Sequence, residues 1–220
     1  MDSLGELFET TPKELEKLMN DFDESIGYAA IMQSMSDLLR SVDPLGSLAL
    51  YLVCRLSKPT IVVETGVASG VSSTAVLQAL QDNDSGELHS VSLPEEASTS
   101  VDKDAVGKRE LGWIIPKQLK EKWHLHRGAS REVLPSLLRE LSPIDMFFHD
   151  SDHSFENVTF ELKEAIPSLR SGGVIIVDDV NFAYVRSAFS NACNEIQVKP
   201  WYIPRLFPSP EEMGIARKGD

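Results

Sequence analysis

The sequence predicts an α/β fold in which a doubly wound, mostly parallel sheet carries helices on both faces. Short continuous apolar runs recur at 61–63, 144–148 and 174–177, and stretches with helical spacing lie between them. Continuous runs, in contrast to alternating ones, are typical of parallel strands buried on both faces. The first run leads through a glycine turn into a helical stretch, which is half of a βαβ unit.

Composition narrows the class of protein. The chain has 220 residues, 42% of them hydrophobic, and a net charge of -13. This length suits one α/β domain with an appendage. The charge argues against a nucleic-acid-binding surface, which needs clustered Lys and Arg. Cys54 and Cys193 fall in predicted helices and are expected to be reduced thiols. With no apolar signal segment or membrane span in the sequence, we predict a cytoplasmic protein.

The chain divides into a helical extension, residues 1–59, and a sheet domain, residues 60–220. Thr11 followed by Pro12 and Glu14 predicts a capped helix start. Further helices are expected at 26–41 and from 45 to the break at Lys58 and Pro59.

The glycine turn after the first strand carries the pattern E-x-G-x-x-x-G, formed by Glu64, Gly66 and Gly70 and followed by Ser72. It differs from the G-x-G-x-x-G dinucleotide fingerprint, and a carboxylate at Glu64 would repel a pyrophosphate. An ammonium group, in contrast, needs acceptors. The pattern resembles the first motif of the class I S-adenosylmethionine-dependent methyltransferases, which implies that these four residues bind the cofactor. The alternative is an ordinary βα turn.

A second strand is predicted at 87–93, and here the chain departs from that family. Most class I methyltransferases end this strand with an acid that binds the ribose hydroxyls, whereas this chain has Ser92. Glu95 and Glu96 follow and are candidates for the same role.

A third strand is predicted at 123–127, followed by a G-x-S turn at Gly128. In the small-molecule O-methyltransferases this turn lies beside the adenine, which implies that Ser130 and Arg131 contact the cofactor. The segment also resembles the cephalosporin hydroxylase and macrocin-type methyltransferase family, over residues 41–181. His124 and His126 on the strand show no metal-binding spacing with the other histidines, and we interpret them as structural.

Acidic residues follow two further predicted strands. Asp150 comes after the run at 144–148, and Asp178 with Asp179 after the run at 174–177. Because ligands bind at the carboxyl ends of parallel strands, these acids should converge in one crevice. Three carboxylates would repel one another unless a hard cation, Mg²⁺ by default, lies between them. The arrangement resembles the cation-dependent O-methyltransferases. Solvated loop carboxylates or helix caps are the alternative.

His153 lies three residues beyond Asp150, where the resemblance places the group that deprotonates the acceptor hydroxyl. A neutral imidazole suits a general base near pH 7. Metal ligand and cofactor contact are its competing roles. His149 should point away from Asp150 by strand alternation and is interpreted as structural.

The end of the chain predicts a helix at 182–194 and strands at 197–205 and 212–218. Class I methyltransferases finish in this way, which implies a Rossmann-like seven-stranded sheet whose last strand is inserted antiparallel. Trp201, Tyr202 and Phe207 are candidates for an acceptor pocket or for edge packing.

The resemblance implies methyl transfer from S-adenosylmethionine to a hydroxyl of a small molecule, assisted by Mg²⁺. A metal-independent methyltransferase of another acceptor atom is the first alternative. A non-catalytic cofactor-binding protein, suggested by Ser92, and a nucleotide-binding oxidoreductase, disfavoured by Glu64, are the others. The leading helices either pair two subunits as a homodimer or form a packing layer.

Overall fold

The computed structural model describes residues 2–34, 44–94, 109–204 and 212–219. In these ranges helices and strands largely alternate, as the apolar runs predict. The helices are α1 (Asp2–Phe8), α2 (Pro12–Asp23), α3 (Ile26–Ser34), α4 (Pro44–Ser57), α5 (Val71–Asp82), α6 (Ser130–Leu141), α7 (Phe155–Ser168) and α8 (Ala183–Glu195). The strands are β1 (Ile61–Thr65), β2 (Glu87–Ser92), β3 (Trp123–Arg127), β4 (Ile144–His149), β5 (Leu169–Val177), β6 (Trp201–Pro204) and β7 (Glu212–Arg217).

The seven strands form one sheet in the order β3-β2-β1-β4-β5-β7-β6. The first five are parallel, and β7 pairs antiparallel with both β5 and β6. The order reverses between β1 and β4, which is where open α/β sheets bind their ligands. The predicted Rossmann-like, mostly parallel sheet with an antiparallel last strand is confirmed.

Each face of the sheet has its own hydrophobic core, because successive strand residues point to opposite faces. On one face Val62, Met146 and Ile176 pack with the amino-terminal helices and α5. On the other face Val63 and Phe147 pack with α6, α7 and α8. The central strands are therefore buried on both sides, as their continuous apolar runs predict.

The amino-terminal helices share the first of these cores. Leu4, Phe22 and Ile31 are buried in it together with α4 and α5. Thr11 and Glu14 form the predicted capping box at the start of α2. The expected helix at 26–41 is present to Ser34, and its remainder lies outside the described residues. The division of the chain at residue 59 stays a prediction.

Residues 170–173 are part of β5, and its register with β4 shifts there, between Ile144 and Met146. The Arg170 side chain pairs with Asp145 of β4 at this shift. Lys120–Lys122 form a 3₁₀ turn just before β3. Cys54 and Cys193 are free thiols, as expected. Among the described helices none is long and apolar enough to cross a membrane.

Candidate active site

The loop between β1 and α5 is shaped by backbone conformations that favour glycine. Gly66 and Gly70 have φ angles of 87° and 91°, in the left-handed region. A Cβ atom on Gly66 would lie 1.8 Å from the carbonyl oxygen of Asp150. The glycine loop therefore passes directly against the end of β4, which carries the predicted metal ligands.

Helix α5 begins at this loop without a capping side chain among the described residues. Gly70 is its N-cap residue, and Val71 to Leu80 are all buried. The unpaired N–H groups of a helix start bind anions or other acceptors readily. The start of α5 thus presents backbone donors to whatever occupies the space above the sheet.

Glu64 lies beneath the loop and is completely buried. Its two carboxylate oxygens accept hydrogen bonds from the hydroxyls of Ser72, Ser73 and Ser90, each at 2.7 Å. Burial raises the pKa of Glu64, and the three hydroxyls only partly offset this. In the structure Glu64 ties the start of α5 to β2, and its contact with a cofactor stays a prediction.

A segment before β3 covers the glycine loop. The backbone N–H groups of Gly112 and Ile114 donate to the carbonyls of Ala68 and Ser69, at 3.0 and 3.2 Å. Trp113 lies between them, and its buried indole N–H has no partner among the described residues. Sequence reasoning missed this segment, because it has neither helical nor strand periodicity.

The predicted acids and His153 meet at the carboxyl ends of β4 and β5. One side-chain ligand atom each from Asp150, His153 and Asp178 lie within 4.8 Å of one another. The Nε2 atom of His153 is 3.9 Å from Oδ1 of Asp150 and 3.9 Å from Oδ2 of Asp179. The structure therefore brings together the four residues that the sequence selected.

His153 is a largely buried imidazole. Its Nε2 atom has no hydrogen-bond partner among the described residues. Burial, followed by the nearby His149, lowers the pKa of His153 to about 4, although the surrounding acids act in the opposite direction. The ring is therefore neutral near pH 7, with an unused nitrogen at the acidic cluster.

His149 ends β4 beside His153 and points toward α7. Its ring is completely buried, and Nδ1 is 2.7 Å from Oε2 of Glu161 on α7. The rings of His149 and His153 meet edge to face, with centroids 5.3 Å apart. His149 supports the loop that carries His153.

Among the described residues, Glu161 accepts hydrogen bonds from His149, Thr65, Ser151 and Asn157. Burial acts to raise the pKa of Glu161, but the contact with His149, aided by the hydroxyls of Ser130 and Thr65, lowers it to about 2. Sequence reasoning missed this residue. An acid on the apolar face of a predicted helix, 12 residues after His149, was the only available signal.

The remaining predicted site residues lie around this edge. Ser92 ends β2, and its carbonyl accepts from the Gly128 N–H at 2.9 Å. Ser130 begins α6 with its hydroxyl 3.5 Å from Oδ1 of Asn157. Arg131 donates to the Glu156 carbonyl at 3.3 Å. Cofactor contacts by Ser130 and Arg131 stay predictions.

The other candidates divide into two groups. Glu95, Glu96 and Phe207 lie outside the described residues. Tyr202 lies at the opposite edge of the sheet, where its ring meets Phe189 at 6.2 Å and the Arg186 guanidinium at 4.3 Å. Its contacts are those of edge packing.

Comparisons with known proteins agree with this arrangement. A family model described as a methyltransferase domain matches residues 63–180. No curated protein sequence matches the chain. An O-methyltransferase from Bacillus cereus in complex with S-adenosylhomocysteine has a TM-score of 0.63 at 16% identity, covering 89% of this chain and 92% of that one.

Two further solved structures share the fold. TomG, an O-methyltransferase from Streptomyces achromogenes involved in tomaymycin synthesis, in complex with S-adenosylmethionine, has a TM-score of 0.66 at 18% identity, covering 90% and 91% of the two chains. A methyltransferase from Podospora anserina bound to S-adenosylhomocysteine has a TM-score of 0.64 at 11% identity, covering 96% of this chain and 97% of that one. Because the family model spans more than half of the chain and includes both the glycine loop and the acidic cluster, the chain belongs to the methyltransferase-domain family.

Proposed function

We propose that this protein transfers the methyl group of S-adenosylmethionine to a hydroxyl oxygen of a small molecule, with Mg²⁺ held by Asp150, Asp178 and Asp179. One observation carries the proposal: the glycine loop and the acidic cluster are in direct contact, since the Asp150 carbonyl fills the place of a Gly66 side chain. A donor on the loop and an acceptor at the acids would therefore be neighbours.

The cofactor assignment is supported by the loop chemistry and by the ligands named for the solved structures of the same fold. Gly66 and Gly70 allow close approach of a ligand to the backbone, and the start of α5 offers N–H donors to a carboxylate. Ser72 lies at that helix start and is anchored by Glu64. Ser130 and Arg131 are proposed to contact the adenine.

The donor set at the acidic cluster fits a hard divalent cation. Asp150 and Asp178 come from neighbouring strands, and Asp179 follows with a left-handed φ of 55° that Asp tolerates. Carboxylate oxygens are the protein ligands that Mg²⁺ prefers, and it usually retains several water positions. Cation binding also offsets the repulsion among the acids.

His153 is proposed as the general base. Bound S-adenosylmethionine supplies an already activated methyl group, and a divalent cation lowers the pKa of a nearby hydroxyl. The neutral Nε2 atom of His153 would accept the hydroxyl proton of the acceptor, whose oxygen would take the methyl group from bound S-adenosylmethionine in exchange for the methyl–sulfur bond, with S-adenosylhomocysteine as the other product. The residues of the chain act mainly by alignment.

A second candidate is methyl transfer without a metal. The position of His153 supports it, since its neutral Nε2 atom, 3.9 Å from a carboxylate oxygen of Asp150 and of Asp179, could take up the proton of the acceptor without help from a metal. In that case the acceptor would need to be intrinsically more acidic or more nucleophilic.

Titration calorimetry with S-adenosylhomocysteine tests the cofactor site. The wild-type protein should bind, and Glu64→Ala should bind more weakly because Ser72 and Ser73 lose their shared acceptor. Glu6→Ala, a variant in α1 far from the site, serves as the control. No binding at millimolar ligand, or equal binding by Glu64→Ala, would contradict the assignment.

Chelation separates the two candidates. Methyl transfer to a catechol-like or phenolic acceptor should fall when the protein is treated with a chelator and return with Mg²⁺. Asp178→Ala should lose most of the activity. Transfer that persists in chelator would support the metal-independent candidate.

The cytoplasmic location, the absence of nucleic-acid partners and a homodimer through the amino-terminal helices are proposed as well. Ile26 and Met32 support the dimer, because these α3 side chains are 47% and 44% exposed. Light scattering of Met32→Glu against the wild-type protein tests it, and an unchanged mass would remove α3 as the interface.

A further inference from the structure

Three histidines and a glutamate converge on one face of the β2–β3 edge of the sheet. His89 is paired in register with His124, and Val91 with His126. Glu87 and His89, two residues apart on β2, share a face, as do His124 and His126 on β3. The sequence shows no metal spacing for His124, because the other candidate ligands lie on the neighbouring strand.

Glu87 bridges the two histidines. Its Oε1 atom is 3.0 Å from Nε2 of His89, and its Oε2 atom is 3.1 Å from Nε2 of His124. The imidazole rings of His89 and His124 are stacked, with centroids 4.6 Å apart. One ligand atom from each of the three residues lies within 4.8 Å of the others.

The distances of 3.0 and 3.1 Å between the two Glu87 oxygens and the histidine nitrogens are close to the distances between neighbouring ligand atoms of a zinc ion. Bonds of about 2.0 Å in a tetrahedral arrangement place neighbouring ligand atoms about 3.3 Å apart. Imidazole nitrogen and carboxylate oxygen are both usual zinc ligands, whereas Mg²⁺ prefers oxygen alone. We propose that Glu87, His89 and His124 bind a Zn²⁺ ion, in a site separate from the acidic cluster at the end of β4.

His126 contacts the ring nitrogen of His89 that does not face Glu87. Its Nε2 atom is 3.1 Å from Nδ1 of His89. Metal-binding histidines commonly donate their second ring N–H to such an acceptor, which directs the first nitrogen toward the metal. His126 is a positioning residue for His89.

The site is open on one side. The side chains of His124 and Glu87 are 45% and 43% exposed, whereas that of His89 is 9% exposed. A fourth position is therefore left for water. Since β3 is the edge strand of the sheet, the ion would tie this strand to β2 and stabilise the pairing.

Zn²⁺ titration of the protein without a histidine tag tests the proposal. Besides any ion at the acidic cluster, the wild-type protein should bind one Zn²⁺ ion at the β2–β3 edge that raises its unfolding temperature, and His124→Ala should weaken this binding at least about 10²-fold. His126→Leu, which removes only the positioning residue, should weaken it about 10- to 100-fold. Glu87→Gln provides a second ligand variant, with a nearly unchanged shape.

Asp178→Ala is the matched control, because it disrupts the other candidate metal cluster and should retain the Zn²⁺ site. Co²⁺ in place of Zn²⁺ should give the visible absorption of a tetrahedral ion in Asp178→Ala and lose it in His124→Ala. Methyl transfer by His124→Ala should be unchanged. Zn²⁺ binding that is insensitive to both His124→Ala and Glu87→Gln, or that is lost in Asp178→Ala, would overturn the proposal.

Discussion

Two completely buried glutamates, one on each face of the sheet, lie beneath the two halves of the candidate active site. Glu64 lies under the glycine loop and accepts from three serine hydroxyls. Glu161 lies under the His153 loop and accepts from His149, Thr65, Ser151 and Asn157. Burial raises the pKa of Glu64, whereas that of Glu161 is lowered to about 2 because its contacts outweigh burial.

The difference shows that partners, and not depth alone, decide the direction in which the pKa of a buried carboxyl group shifts. An imidazole can share or carry positive charge, so it stabilises the ionised form of Glu161 far more than hydroxyls stabilise that of Glu64. The contacts under His153 therefore favour an ionised carboxylate, whereas burial under the glycine loop works against ionisation of Glu64. Substitutions in the two regions should differ in kind and size.

The largest expected effect concerns catalysis above the Glu161 network. His153→Ala should lower kcat by about 10²- to 10⁴-fold, the usual contribution of a positioned general base. Affinity for S-adenosylhomocysteine should be unchanged, because none of the proposed cofactor contacts involves His153. Steady-state kinetics and titration calorimetry measure the two quantities.

Asp152→Asn is the control for this variant, since Asp152 is exposed and its side chain hydrogen-bonds, among the described residues, with Ser154 alone. It should retain normal kcat. If His153→Ala kept near-normal turnover on a weakly acidic acceptor, His153 would be a packing residue.

The next largest effect is expected on stability, when Glu161 is replaced and its hydrogen bonds are lost. Glu161→Gln should lower the free energy of unfolding by about 3 kcal/mol or more at pH 7, because an amide cannot accept from four donors. Denaturant unfolding followed by circular dichroism measures it. Glu156→Gln, at an exposed position on the same helix, should change stability by less than about 0.5 kcal/mol. Similar losses in both variants would contradict the special role of Glu161.

The pH dependence of stability should separate the two glutamates. A lowered pKa contributes stability that is present above the unfolded value of 4.5 and is lost as the pH falls toward about 2. The stability difference between the wild-type protein and Glu161→Gln should therefore shrink from pH 6 to pH 2.5. Denaturant midpoints at several pH values provide the measurement, and a constant difference would exclude a charged Glu161.

The smallest change in the free energy of unfolding is expected when Glu64 is replaced. Glu64→Gln should change the free energy of unfolding by less than about 1 kcal/mol at pH 7, because burial already favours the neutral form and the serine hydroxyls can reorient toward an amide. A raised pKa makes ionisation costly as the pH rises above 4.5, so the variant should gain relative stability at higher pH. Unfolding at pH 5 and pH 8 tests this, and a loss as large as that of Glu161→Gln would remove the contrast.

The sequence by itself determined the alternation of strands and helices, the glycine loop, and the placement of Asp150, His153, Asp178 and Asp179. These features are local: apolar runs set the strands, and a residue that directly follows a parallel strand must lie at the ligand-binding edge. The capping box at Thr11 could be predicted in the same way, because it is formed by Thr11 and Glu14, three residues apart in the sequence.

The tertiary structure alone decided which distant residues meet. Glu161 reaches His149 only because α7 packs across β4, and the covering segment at Gly112 contacts Ala68 although more than 40 residues separate them in the chain. The histidine cluster depends on the register of β2 with β3, and a shift of one residue would turn His124 to the other face. Register and helix packing are set by the whole hydrophobic core, so no local pattern encodes them.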